Sequence, residues 1–232
     1  MCDAMTTTAD TRFPVAAVMF DLDGTLMDTA ADLAEAANAM LAELHRPLRE
    51  TDEIRLFLGR GIQDLVMRCL GADAEEEAGL IERAVASFRR HYAAVNGIHS
   101  EVYPGVVEAL DRLSRRGIRL ACVTNKATVF TEPLLVRKGL AGYFQAVVCG
   151  DTLPVKKPDP GMLWHACWLL GVMPAQSLMI GDSANDASAA RAAGMPVLLL
   201  PYGYSEGVPV DMIESDGLIS SATEILDRIR AI

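Results

Sequence analysis

Five short apolar runs, at 15–20, 119–124, 146–149, 178–180 and 197–200, constrain the fold of this chain more than any other feature. None alternates cleanly between apolar and polar residues, which marks strands buried on both faces. From residue 105 onward helical patterns separate them. "GVVEALDRLSRRG" at 105–117 sets Val106, Leu110 and Leu113 on one face and stops at Gly117. "DASAARAAG" at 186–194 is a short alanine-rich helix stopped by Gly194, and in both cases the glycine takes the position just past a helix end. Such strands alternating with helices predict an α/β fold: a Rossmann-like three-layer core with a parallel sheet between helices.

Between 29 and 100 no strand-like run appears. Thr29, with Asp32 three residues on, resembles an N-cap with an acidic N3 residue. Leu33, Ala37, Met40, Leu41 and Leu44 follow at helical spacing up to Pro47. A second segment opens at Thr51 and breaks at Gly59-Arg60-Gly61. After Asp73, the stripe through Leu80, Ala84, Phe88 and Tyr92 reads as the packed interior of a helical unit. An inserted all-helical cap is therefore expected over 29–100, with hinges near 24–28 and 96–104. The α/β core takes 14–28 and 101–232, and 1–13 reads as a disordered N-terminal lead.

Composition narrows the function. A net charge of −10 opposes bulk attraction to nucleic acid or to anionic lipid, so neither is expected as a partner. No apolar stretch is long enough to span a bilayer. The N-terminal "MCDAMTTT" has neither the basic nor the apolar region of a secretory signal. Cys2, Cys69, Cys122, Cys149 and Cys167 are scattered and never form a CxxC pair, which fits a reduced cytoplasmic protein rather than disulfides or a zinc site.

In an open parallel sheet, ligands sit beyond the carboxyl ends of the strands. Asp21, Asp23, Gly24 and Thr25 follow the first run, and Thr124, Asn125 and Lys126 close or follow the second. Asp151, Lys156 and Lys157 follow the third, and Gly181, Asp182, Ser183 and Asp186 the fourth. Singly, each is an ordinary turn former, cap or solvated lysine. Together they set several carboxylates, a lysine and a hydroxyl along one edge. Clustered carboxylates favour a hard cation, Mg²⁺ before zinc. Such a cation would let Asp21 and Asp23 lie side by side and would draw a phosphate to an acidic protein.

"FDLDGT" at 20–25, "VTN" at 123–125, "KKPDP" at 156–160 and "GDSAND" at 181–186 resemble, in order, the four motifs of the haloacid dehalogenase-like superfamily. "VTNK", "KKPDP", "GDSANDASAARAAGMPV" and "PYGYSEG" are most similar to bacterial phosphoglycolate phosphatases. The resemblance implies Mg²⁺-dependent hydrolysis of a small phosphorylated metabolite, 2-phosphoglycolate first. Sugar phosphates, N-acetylmuramic acid 6-phosphate, nucleotides and pyrophosphate are alternatives. It implies Asp21 as nucleophile through an aspartyl-phosphate and Asp23 as general acid and base. Thr124 would hold the phosphoryl group, with Gly24, Thr25 and Asn125 in the phosphate-binding shell. Lys157, next to Pro-x-Pro, would neutralise Asp21 and the phosphoryl group. Mg²⁺ would sit on the Asp21 carboxylate, the Asp23 backbone carbonyl and the Asp182 carboxylate, with Asp186 orienting Lys157 or a metal-bound water. Arg60, in the cap loop, is the expected partner for a substrate carboxylate.

Other branches fit less well. A dehalogenase lacks the second aspartate. A phosphonoacetaldehyde hydrolase needs a cap lysine, and no lysine precedes Lys126. A β-phosphoglucomutase-like phosphomutase usually has valine where Thr25 stands. A phospho-aspartate signalling module leaves Asp23 and the helical insertion unexplained. Monomer and homodimer are both compatible with the sequence.

Overall fold

The computed structural model of the chain describes residues 12–72 and 77–232. Most of the expected N-terminal lead, residues 1–11, lies outside the described residues, and Phe13 already belongs to a strand.

Strands β1 (Phe13–Val15), β2 (Ala17–Phe20) and β3 (Met27–Asp28) lead into helices α1 (Ala30–Glu43), α2 (Thr51–Arg55), α3 (Ile62–Leu70) and α4 (Leu80–Val95). The chain returns through β4 (Glu101–Val102), α5 (Val106–Arg115), β5 (Arg119–Val123), α6 (Thr128–Arg137) and β6 (Ala146–Val148). It continues with α7 (Gly161–Leu170), β7 (Ser177–Gly181), α8 (Ala184–Ala193), β8 (Val197–Leu199), α9 (Ile225–Arg228) and β9 (Ile229–Ala231).

The five apolar runs become one parallel sheet in the order β6-β5-β2-β7-β8. Its middle strand, β2, is buried at every residue. Val18 and Phe20 pack on one side with Leu110 and Leu113 of α5, while Ala17 and Met19 pack on the other with Met162 and Ala166 of α7. Both faces are covered, which is why the runs do not alternate. The strand order runs away from β2 in both directions, so its carboxyl end opens at a switch point, where sheets of this kind bind ligands.

Two pairings were not readable in the apolar pattern. β1 lies parallel to β9, and β3 lies antiparallel to β4, with Met27 opposite Val102 and Asp28 opposite Glu101. The second pairing sets the two crossings between sheet and helices side by side. Asp32 locks them. Its buried carboxylate accepts hydrogen bonds from the backbone N–H groups of Gly97 (2.8 Å), His99 (2.7 Å) and Ser100 (3.0 Å), and one from the Ser100 hydroxyl. Thr29 and Asp32 take the N-cap and first-turn positions expected of them, but neither side chain caps the helix. Both polar side chains serve other segments.

Within 30–95, α1 packs along α4, joining Leu33, Ala37 and Met40 to Ala84, Phe88 and Tyr92. Phe130 of α6 and Tyr204 from the sheet side complete this cluster, so the helices are seated on the α/β core through apolar contact.

Candidate active site

The backbone turns sharply after β2, and Gly24 takes φ +86°, a conformation that suits glycine. A side chain there would also overlap the Asp182 carboxylate, so the turn brings the two strand ends together. Thr25 fastens them: its hydroxyl donates to Asp182 Oδ1 at 2.7 Å. The other Asp182 oxygen accepts from the Tyr204 backbone N–H at 2.6 Å.

Asp21, Asp182 and Asp186 offer carboxylate oxygens within 4.8 Å of one another, all buried. Lys157 Nζ lies 2.8 Å from Asp21 Oδ1 and 2.6 Å from Asp186 Oδ1, and it donates to the Val123 carbonyl at 2.8 Å. Asn125 fixes the Lys157 backbone from both sides, accepting from its N–H and donating to its carbonyl, each at 2.9 Å. The second oxygen of Asp186 accepts from the Ser183 hydroxyl at 2.8 Å and from the N–H groups of Asp182 and Ser183 at 3.2 Å. Asp186 is thus fully engaged.

Three buried acids face a single lysine. Burial, reinforced by Asp186 and Asp23 and opposed by Lys157, pushes Asp21 up to about 7. Asp182 is raised well above the usual carboxylate range by burial and by Asp186 and Asp21. Burial opposes the charge on Lys157, but Asp186 and Asp21 more than offset it and hold the ammonium protonated. Asp21 Oδ1 makes no directed hydrogen bond despite its ion pair. Excess negative charge on oxygen-only donors fits a divalent cation; Asp21 Oδ1 makes no directed hydrogen bond and each Asp182 oxygen accepts only one, so both carboxylates keep lone pairs that could hold it.

Asp23 turns the other way. It accepts from the Thr29 hydroxyl at 2.6 Å and from Lys126 Nζ at 2.9 and 3.0 Å, so its carboxylate stands apart from the acid cluster. Lys126 is buried, and burial opposes its charge. Asp23 and Tyr92 overcome that and raise its pKa. Thr124 Oγ1 accepts from the Lys126 N–H at 3.2 Å.

Above these residues lies a small, partly open cavity of about 40 Å³. Asp21, Asp23, Thr124 and Lys126 form its floor, and Leu58, Gly59, Ile62, Leu65 and Tyr92 its roof. The sequence-predicted residues Asp21, Asp23, Gly24, Thr25, Thr124, Asn125, Lys157, Asp182 and Asp186 all gather at this edge. Thr25 and Asn125 spend their side chains on Asp182, Lys157 and the Gly59 carbonyl, which makes them positioning groups.

Two expected members are placed elsewhere. Asp151 accepts from the N–H and hydroxyl of Thr128 and caps α6. Arg60 does not line the cavity. Its Nε pairs with Glu206 at 2.7 Å, and Glu206 also accepts from Asn185 Nδ2 at 2.6 Å. A carboxylate of the protein holds the guanidinium expected for the substrate. The sequence reading had no means of assigning Lys126 to Asp23, or Tyr204 to the hinge. The Tyr204 hydroxyl donates to Asp28 Oδ1 at 2.6 Å and accepts from the N–H groups of Thr29 and Ala30.

The model of the haloacid dehalogenase-like hydrolases matches residues 18–200, and the chain belongs to that family. It is 48% identical over 213 residues to the phosphoglycolate phosphatase of Thiobacillus denitrificans, covering 91% of this chain and 94% of the relative. Identity and coverage are the same for the phosphoglycolate phosphatase of Nitrosospira multiformis. Among solved structures, a predicted phosphoglycolate phosphatase from Haemophilus somnus superposes with a TM-score of 0.87 at 31% identity, over 92% of this chain and 97% of that one.

Proposed function

We propose that this hydrolase cleaves 2-phosphoglycolate to glycolate and phosphate. The reading is carried by one observation: Asp21, paired with Lys157 and clustered with Asp182 and Asp186, borders a small cavity that Asp23 also lines. The similarity to two phosphoglycolate phosphatases over nine-tenths of the chain supports the substrate.

An Asp21 carboxylate oxygen attacks phosphorus, and the bond from phosphorus to the ester oxygen breaks. Asp23, once it carries a proton, gives it to the departing glycolate oxygen. Water then attacks the aspartyl-phosphate. Asp23 takes the proton of that water, the bond from phosphorus to Asp21 breaks, and phosphate leaves. Lys157 stays charged throughout, held by Asp186, and lowers the cost of bringing a phosphoryl group to Asp21. Thr124 and the backbone beyond β2 border the phosphoryl position, and Thr25 and Asn125 keep Asp182 and Lys157 in place. Asp21 and Asp182, with the Asp23 carbonyl, would hold Mg²⁺, which when bound supplies positive charge to the nucleophile and the phosphoryl oxygens.

The helices over 29–100 act as a cap on the core at 14–28 and 101–232, closing through the contacts of Gly59 with Asn125 and of Arg60 with Glu206. Among the described residues no helix is long and apolar enough to cross a membrane. Cys69, Cys122, Cys149 and Cys167 are free and buried, which suits the cytoplasm.

The test is phosphate release from 2-phosphoglycolate, hexose 6-phosphates, N-acetylmuramic acid 6-phosphate, mononucleotides and pyrophosphate, with Mg²⁺ and with EDTA. A preference for 2-phosphoglycolate that EDTA abolishes is expected. Preferred turnover of another ester would keep the chemistry and discard the substrate.

A further inference from the structure

The Tyr92 hydroxyl is an anomaly. Tyr92 is fully buried on α4, its ring packs against Phe88 and Phe130, and it lines the cavity; its hydroxyl oxygen faces the Lys126 ammonium, but its O–H finds no acceptor. A buried O–H left without an acceptor is costly, and beside a ligand cavity a bound anion can supply one. Lys126 is the cation of the same wall: Nζ lies 4.9 Å from the centroid of the Tyr92 ring and 2.9 Å from Asp23 Oδ1. The first turn of α3, whose Gly61 and Ile62 border the same space, has no side-chain cap and adds positive backbone potential. Leu33, Leu58 and Leu65 supply its apolar wall.

We infer that Tyr92 and Lys126 together recognise the carboxylate of the substrate's leaving group. The inference rests on the phosphatase reading above and assigns the selection to residues other than Arg60, which Glu206 already holds. The chemistry is complementary. An ammonium and a phenol O–H donate to a carboxylate, and the leucines beside them offer a hydroxylated group no hydrogen bond. Lys126 lies beside Asp23, where the leaving oxygen departs, so a carboxylate one carbon from that oxygen falls within its reach.

The test compares kcat/KM for 2-phosphoglycolate with that for ethyl phosphate, which keeps the two-carbon chain and lacks the carboxylate. The wild type is expected to prefer the acid. Tyr92→Phe removes the phenol O–H and keeps the ring, so it lowers kcat/KM for the acid by about tenfold more than for ethyl phosphate. Lys126→Met lowers the acid by about a hundredfold more than it lowers ethyl phosphate. A wild-type preference that survives in both variants overturns this assignment while leaving the phosphoglycolate reading intact. A wild type that hydrolyses both esters equally, or neither, overturns the assignment and the substrate reading together.

Discussion

The floor and the roof of the cavity are built in different ways. Most polar groups in and beneath the floor are fixed by a neighbouring segment. Asp182 is bound by Thr25 and Tyr204, Lys157 by Asp21, Asp186 and Asn125, and Asp186 by its own helix N-terminus. The roof rests on apolar packing, on the loop at 59–61 and on a few contacts that cross to the core, such as Asn125 to the Gly59 carbonyl and Arg60 to Glu206. A rigid floor suits bond-making steps that need fixed charges. A roof joined by few polar contacts suits a wall that must let substrate in and then read it.

Changes in the floor should therefore cost chemistry, and changes in the roof should cost selection. The largest effect is expected for Asp21→Asn, with turnover falling by about 10⁴-fold or more. The same change should leave the fold intact and raise the Tm of metal-free protein near pH 7, because it removes a buried charge. The sign follows from the raised pKa. Asp21 ionises near 3.8 when unfolded and near 7 when folded, so its contribution to stability is complete below about pH 4 and lost as pH rises through about 7. A metal-free Tm that declines between those values in the wild type, and less in Asp21→Asn, checks this.

Lys157→Met leaves Asp21 and Asp186 buried without their counter-charge and should destabilise the metal-free protein by about 3–5 kcal/mol, read by urea denaturation. Asp32→Ala attacks the boundary between the two regions. It orphans the donors at 97–100, should cost at least about 2–3 kcal/mol, and should raise hydrogen exchange at Gly97, His99 and Ser100. The smallest effect is expected in the roof. Glu206→Gln weakens the closing contact with the half-exposed Arg60, so KM should move more than kcat and Tm should change by no more than a degree or two. A tenfold fall in kcat with an unchanged KM would place Glu206 in the chemistry and dissolve the distinction between floor and roof.

The floor was legible in the chain because each member directly follows an apolar run, and strands that share a sheet bring their ends together. Asp21, Thr124 and Asp182 are placed by that rule alone. Lys157 is not at a strand end; its position depends on Asn125 holding the loop, which the letters show only through the family pattern. The roof was less legible for a physical reason. Helical periodicity says which residues face inward, but not whether a polar atom at the tip of an inward residue finds a partner. Tyr92 fits an apolar stripe perfectly well, and only the packed structure reveals the O–H without an acceptor. Arg60 illustrates the converse: an exposed loop guanidinium looks free until Glu206, remote in sequence, is seen beside it. The pairing of β1 with β9 and of β3 with β4 was hidden because strands of two or three residues carry no periodic signal.

The most direct test of the account is to quench the enzyme in acid during turnover of phosphate-labelled 2-phosphoglycolate and map the label on the chain. Label on the peptide that contains Asp21, absent from Asp21→Asn and appearing more slowly in Asp23→Asn, is the predicted result. Label on another residue, or steady turnover by Asp21→Asn, would contradict it.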